Sequence, residues 1–385
     1  MIGWFHILLA RQKNKKQISS AKLEKKSDSE AQEKKVIEVK DIKEDSNEST
    51  ISNQITEPNK NSEHVPETIS DKEERKPKNS TIKEPSVSFS NNHTIHPQAE
   101  EKDSWFIVSA SAIGKSHIID SIPCQDNHYC LSIDKEWGII ISCDGAGSAK
   151  NSHIGSKYIS NEIAPLYFKD LILSNQWNSK NNLPTQEEWE VLARKTFINI
   201  YDDLINFALE NKFETSSLAC TIIVLIYSPI GLLISHIGDG RAGYSNKQGD
   251  WNPLMIPHKG IESNQTIFLT SNAWIKNKDL KLSGVNIPES YVLNEKPSAF
   301  TVMSDGCELH SYECSIIDKE TNKWYDPNLP YPNFFKPLIN NLRLMHKDNV
   351  PAYDANNIWG EFIEKGTKGL SGEPDDKTMI LGVLI

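Results

Sequence analysis

The residues able to do chemistry in this chain are acidic, and three of them share one local pattern: an apolar run, an aspartate, then a glycine. They are Asp144 in "IIISCDGAG", Asp239 in "LISHIGDGRAGY" and Asp305 in "FTVMSDGCE". Two further acidic sites flank apolar runs in the opposite sense, Asp126 in "PCQDNHYCLSI" and the pair Asp375 and Asp376 in "EPDDKTMILGVLI". Singly, each Asp-Gly pair reads as a common turn. A carboxylate at the tip of a buried strand is costly, however, unless a lysine or arginine, a phosphate-bearing ligand system or a metal ion meets it. Several such sites with few histidines near them suit a hard cation, magnesium or manganese, rather than zinc. A pair of such ions can clamp phosphoryl oxygens and lower the pKa of a bridging water enough to make it a nucleophile. The glycines that follow would let backbone and ions approach closely.

The elements that must position these residues are legible in outline. "SWFIVSASAIG" mixes β-branched and aromatic residues as a strand does, and "HYCLSID" and "WGIIISCDG" read as a hairpin around Asp134-Lys135-Glu136. Ile154, Tyr158, Ile159, Ile163 and Leu166 fall near a 3.6 period, which predicts a helix from Ser152 to about Leu173. A second helix is expected from Thr185 to Asn211, capped by Thr185 ahead of Glu187 and Glu188. "LACTIIVLIY" and "GLLISHIGD" are two apolar strands around a turn at Pro229 and Gly231, and "AFTVMSDG" is another. Helical stretches from Phe334 to His346 and from Asn356 to Lys365 precede a final strand, "KTMILGVLI", whose unbroken apolar character implies burial on both faces. The fold class is therefore α+β with antiparallel hairpins over residues 103–385; no βαβ alternation supports a doubly wound nucleotide-binding fold.

Composition bounds the rest. The chain has 385 residues, a formal net charge of -10 and 37% hydrophobic residues, a low apolar share for one compact unit. The deficit lies in residues 1–102, rich in Lys, Glu, Ser, Asn, Asp and Thr from about Arg11 onward, which are expected to be a disordered tail or tether. The acidic balance argues against nucleic acid as the main partner. Cys124, Cys130, Cys143, Cys220, Cys307 and Cys314 form no CxxC pair and read as buried small hydrophobes in a reducing, cytoplasmic setting. At the start, "MIGWFHILLARQKNKK" is too short in apolar content to span a membrane, leaving Trp4, Phe5, Ile7 and Leu8 as at most a peripheral contact. A G-x-S-x-G nucleophile elbow is absent, so Ser148 and Ser152 read as helix caps.

The ordered strings "CQDN", "CDGAGSAKNSHIGS", "HIGDGRAGY", "VMSDGCE" and "PDDKTMILGV" together resemble the type-2C metal-dependent Ser/Thr protein phosphatases, the PPM family, in a bacterial-type branch. The resemblance covers about Trp105 to Ile385. It implies a central sandwich of two antiparallel β-sheets flanked by helices (a four-layer αββα fold). It also implies hydrolysis of phosphoserine and phosphothreonine by direct attack of a water bridging two Mg2+ or Mn2+ ions, with a third, weaker ion site. Asp144 is similar to the aspartate that bridges both metals, and Gly145 to the residue that lends its carbonyl to the second. Asp305 and Asp375 look like the remaining ligands of the first, with Asp376 as the alternative to Asp375. Asp126 would hold waters in the outer shell, behind Gln125 where many members have glutamate, and Asp239 would support the third site. The implied partners are a phosphoprotein substrate and a Ser/Thr kinase or its targets, with the phosphatase itself acting as a monomer in signalling.

Two positions depart from the family pattern. The phosphate-binding arginine of many members is replaced by Ser121, which leaves His117 in "GKSHIID", or Lys115, as a candidate phosphate contact. Ala146 stands where members reading "DGHGG" carry a histidine, a proposed general acid for the leaving group. The missing arginine favours an alternative, a pseudophosphatase that binds phosphorylated partners without turnover; the intact aspartates oppose it.

Overall fold

The computed structural model describes residues 104–259, 266–282 and 284–385. The expected disordered tail and the peripheral contact of Trp4, Phe5, Ile7 and Leu8 lie outside the described residues.

The strands begin with β1 (Trp105–Ala112), β2 (Asn127–Ser132), β3 (Gly138–Cys143), β4 (Ile222–Tyr227), β5 (Leu232–Ile237), β6 (Arg241–Ser245) and β7 (Trp251–Pro253). Short β8 (Lys281–Leu282) and β9 (Val285–Asn286) lead to β10 (Glu289–Leu293) and β11 (Ala299–Met303). The two-residue strands β12 (Tyr312–Glu313), β13 (Ile316–Ile317), β14 (Trp324–Tyr325) and β15 (Leu329–Pro330) precede β16 (Lys377–Leu384). Two five-stranded sheets form, ordered β1-β16-β11-β6-β7 and β10-β5-β4-β3-β2. Every pairing within them is antiparallel.

Period-2 alternation assigns each strand's two faces to different cores. Ile140, Ile223, Leu225, Ile234, Phe300, Val302 and Ile380 meet between the sheets. The opposite faces of β3 and β4 (Ile139, Ile141, Ile222, Val224) pack on helices that contribute Phe168, Trp189, Phe197 and Leu204. Met379, Leu381 and Val383 of β16 pack on Phe335, Leu338, Trp359 and Phe362. Helix, sheet, sheet and helix are thus stacked in four layers, as expected. The final strand is buried on both faces because Ile380 packs between the sheets while Met379, Leu381 and Val383 pack on the helices, and β1 and β11 cover its two edges.

The helix over Gln186–Glu210 begins as its sequence predicts: the Thr185 hydroxyl accepts from Glu188 N–H at 3.2 Å, and Glu188 accepts in return from Thr185 N–H at 2.9 Å. The expected helix from Ser152 is interrupted. It runs α over Ser152–Lys157, widens to a π turn over Tyr158–Ile163, and resumes as α over Ala164–Ser174. Pro165 has no N–H to offer the carbonyl four residues earlier, which accounts for a break at this point. The cap reading of Ser148 and Ser152 is corrected: Asn151 is the N-cap, no side chain caps that end, and the Ser152 hydroxyl is buried without a partner. The strand read in "LACTIIVLIY" is also shorter, since Thr215–Leu218 form a 3-10 turn and regular strand starts at Ile222. All six cysteines are free thiols. Among the described residues no helix is long and apolar enough to cross a membrane.

Candidate active site

Strand register within each sheet, and the β5–β6 link that carries Asp239 from one sheet to the other, gather the sequence-distant aspartates. Asn127 at the start of β2 pairs with Cys143 at the end of β3, and Ile222 at the start of β4 pairs with Ile237 at the end of β5. In the other sheet the end of β11 (Met303) pairs with the starts of β6 (Arg241) and β16 (Met379 in register). Asp126, Asp144, Asp239, Asp305 and the Asp375/Asp376 pair therefore all lie at one end of the sandwich.

These carboxylates act on one another. Burial, and then Asp126, Asp305, Asp239 and Asp375, hold Asp144 well above the usual carboxylate range. Asp305 is pushed up to about 7 by burial and by Asp239 and Asp375. Burial raises Asp126 to about 8, against the hydrogen bond it accepts from the Ser304 hydroxyl at 2.7 Å. Asp239 is raised chiefly by burial, with the Lys259 ammonium acting in the opposite direction. Crowded carboxylates, each disfavouring its neighbours' charge, are an all-oxygen donor set that wants a positive charge placed among them. The residues present fit a divalent cation.

The backbone around Asp144 is fixed from both sides. Its carbonyl accepts from Thr221 N–H at 2.8 Å, its own N–H donates to the Thr221 hydroxyl at 3.1 Å, and Gly145 bridges to Cys220. A Cβ at Gly145 would lie 2.7 Å from the Gln125 carbonyl oxygen, so only glycine lets the Asp126 loop approach here. That carbonyl is itself held by the Ser156 hydroxyl at 2.5 Å, from the helix that follows Asp144.

The acidic pair before β16 divides its work. Asp376 is buried, and its two oxygens accept from Gly114 N–H and Gln125 N–H, each at 2.6 Å. Asp375 is exposed, accepts from Asp376 N–H at 2.7 Å, and acts electrostatically on Asp144 and Asp305. Its neighbour is thus a clamp tying the β1 end and the Asp126 loop to β16. At Gly306 an added Cβ would run into the Asp376 carbonyl, so the Asp305 turn also needs its glycine.

His117 lies on a short helix (Lys115–Asp120) with Nδ1 3.0 Å from Asp376 Oδ1, which directs its ring at the clamp; Lys115 on the same helix is exposed. Ser121 ends that helix in the left-handed conformation, φ 57°. Ala146 is buried beside Ala149 and Ala219.

Several residues here carry no distinctive mark in the sequence. Ser304 links the final strand to the site, accepting from Thr378 N–H at 2.9 Å while donating to Asp126. Glu308, three positions past Asp305, adds negative charge to Asp305 and Asp239. It also binds the buried Arg241 guanidinium at 2.8 Å, and Arg241 reaches Asp326 at 2.6 Å. The only sequence signal for Glu308 was its place in "SDGCE".

An αββα sandwich with its carboxylates collected at one end is the architecture of a 2C-type phosphatase. The chain belongs to that family: a family model described as "Protein phosphatase 2C" matches residues 113–350. It is a Ser/Thr protein phosphatase of this type, and its substrates are phosphoproteins. Serine/threonine-protein phosphatase 3 of Escherichia coli (strain K12) is 27% identical over 284 residues, covering 73% of this chain and 98% of that protein. Among solved structures, a bacterial serine phosphatase is 16% identical with a TM-score of 0.44, covering 72% of this chain and 96% of its own. Serine/threonine phosphatase Stp1 from Staphylococcus aureus is 15% identical with a TM-score of 0.43, covering 77% and 99%.

Proposed function

We propose that this chain hydrolyses phosphoserine and phosphothreonine at a divalent-metal centre held by Asp144, the Gly145 carbonyl, Asp305 and Asp375. Asp126 acts on water in the outer shell and Asp239 belongs to a weaker third site. The observation that carries this reading is the convergence of carboxylates from both sheets at one end of the sandwich, where Asp126, Asp144, Asp239 and Asp305 are raised by burial and by neighbouring carboxylates. When bound, two Mg2+ or Mn2+ ions supply an activated water for direct attack and offset charge on the phosphoryl oxygens.

The chain's own residues do the positioning. The hydroxyls of Ser304 and Thr378 hold the Asp126 carboxylate in the orientation from which it would act on water. Asp376 holds the loops that carry Gly114 and Gln125, which favours Asp375 over Asp376 as the ligand. Ala146 donates no proton, so the leaving alkoxide takes its proton from water in the site, a demand greater for serine and threonine esters than for aryl ones. Residues 103–385 form the catalytic unit and 1–102 a tether, and free cysteines suit action in the cytoplasm.

The test is hydrolysis of a phosphothreonine peptide and of an aryl phosphate after chelation, then with Mn2+ or Mg2+ restored. Turnover of both should vanish with chelation and return with the ion, faster on the aryl ester. Turnover unchanged by chelation would overturn the metal mechanism; a folded, ion-loaded protein inert on both substrates would favour the binding-module reading.

A further inference from the structure

A second group of ligating side chains shares no residue with the aspartate group. His236 on β5, His258 in the irregular stretch before Lys259, and Glu289 at the start of β10 each offer a donor atom within 4.8 Å of the other two. Glu289 and His236 are direct cross-strand partners, so the sheet itself sets their approach. Both histidines are fully buried.

Their hydrogen bonding is incomplete in a specific way. His236 Nε2 lies 3.1 Å from the Ile256 carbonyl, which can only accept, so Nε2 carries the proton and Nδ1 presents a lone pair. Among the described residues that Nδ1 has no hydrogen-bond partner; it faces Glu289 Oε2 at 3.6 Å, an oxygen that already accepts from Ile256 N–H at 2.7 Å. His258 Nε2 is likewise buried without a partner. The two orphans differ: His236 Nδ1 is a lone pair, whereas His258 Nε2 carries the ring proton because His258 Nδ1 accepts from Gly238 N–H, and a cation that displaces that proton would satisfy both nitrogens and the carboxylate. Burial keeps both rings neutral, lowering His258 to about 4 and His236 well below the ordinary imidazole range.

We propose that His236, His258 and Glu289 bind one Zn2+-class transition-metal ion, distinct from the oxygen-ligand centre. Two imidazoles and a carboxylate are a donor set that borderline-soft Zn2+ accepts and Mg2+ does not. The His236 Nε2–H to Ile256 carbonyl bond is the outer support that a ligating imidazole ordinarily has. The rings are stacked, with centroids 4.1 Å apart at 17°, so a shared ion requires one to turn. His258 lies outside any strand, and among the described residues its ring nitrogens receive one long contact, Gly238 N–H to Nδ1 at 3.3 Å, so it is the ring that would turn. Turning it and moving its proton to Nδ1 brings Nε2 into line. The ion would then fasten the stretch before Lys259 to β5 and β10, next to Asp239, because His258 N–H already donates to the Gly238 carbonyl at 2.8 Å.

The full chain is to be loaded with Zn2+, desalted in excess Mg2+, and its metal content measured. One equivalent of Zn2+ should remain in the wild type and in Asp144→Asn, and at least tenfold less in His258→Gln and Glu289→Gln. Glu289→Gln keeps an oxygen for Ile256 N–H, so it decides the matter if the histidine variant does not fold. Zinc absent from the wild type would overturn the proposal. So would zinc lost in Asp144→Asn but kept in Glu289→Gln, which would assign it to the aspartate centre.

Discussion

At the residue scale, Asp375 and Asp376 show how neighbouring identical side chains can differ in duty. Asp376 accepts two backbone N–H groups in a buried position, whereas Asp375 faces the other carboxylates from the surface. Asp376→Asn replaces one of those acceptors by an NH2 that opposes an N–H, which costs about 1–3 kcal/mol of stability. Asp375→Asn leaves the fold unchanged and removes a charged oxygen from the centre. Thermal unfolding and Mn2+ titration on the two variants should separate them: the first lowers Tm with metal affinity largely kept, the second weakens Mn2+ binding while Tm of the metal-free protein is kept or raised, since one repelling charge is gone. A reversed pattern would make Asp376 the ligand. The strand-tip aspartates could be read from sequence because each carries its own local mark, an apolar run and a glycine. The clamp role of Asp376 could not, since its partners Gly114 and Gln125 are more than 250 positions away.

At the element scale, β16 joins stability to the site. Leu381 and Val383 are fully buried against the helix layer, and Ile385 pairs with Ser104 through two backbone bonds. Removing Leu381–Ile385 strips the two buried side chains at roughly 2 kcal/mol each, plus the partial burial of Leu384 and Ile385. That total is a large fraction of an ordinary domain's stability. The shortened protein is expected to be insoluble or unable to hold metal; a soluble, cooperatively unfolding and fully active one would show that β16 does not fix Asp375. The final strand and the long capped helix were plain in sequence because their signals are long and regular. Strands β6, β7 and β10 were not. They are five residues or fewer, and "RAGYS" places a charged residue and a glycine in a strand. Arg241 is tolerated there only because Glu308, Asp326 and Asn328, distant in sequence, surround it.

At the scale of the whole molecule, the acidic end sets how stability depends on pH. Asp126 near 8 and Asp305 near 7, and outside that end the buried Glu289 near 7, bind protons in the folded state that the unfolded chain has already lost at pH 6.5. Stability of the metal-free protein must therefore fall as pH rises from about 6.5 to 8. Depressed histidines act below that window. Scanning calorimetry should show Tm of chelated protein dropping across it, and Mn2+ raising Tm more at pH 8 than at pH 6.5. A flat or rising Tm would mean the carboxylates are not mutually destabilising. A chain beginning near Glu100 should keep the full kcat on an aryl phosphate, because none of the site residues precedes it; a large loss would give residues 1–102 a part in catalysis.

The central claim is that Asp144 and its neighbours form a divalent-cation centre. Its most direct test is calorimetric titration of Mn2+ into chelated wild type and into Asp144→Asn, with circular dichroism confirming that both are folded. At least two Mn2+ should bind per wild-type chain, and the tight sites should be lost in Asp144→Asn. Equal affinity and stoichiometry in the two proteins would contradict it.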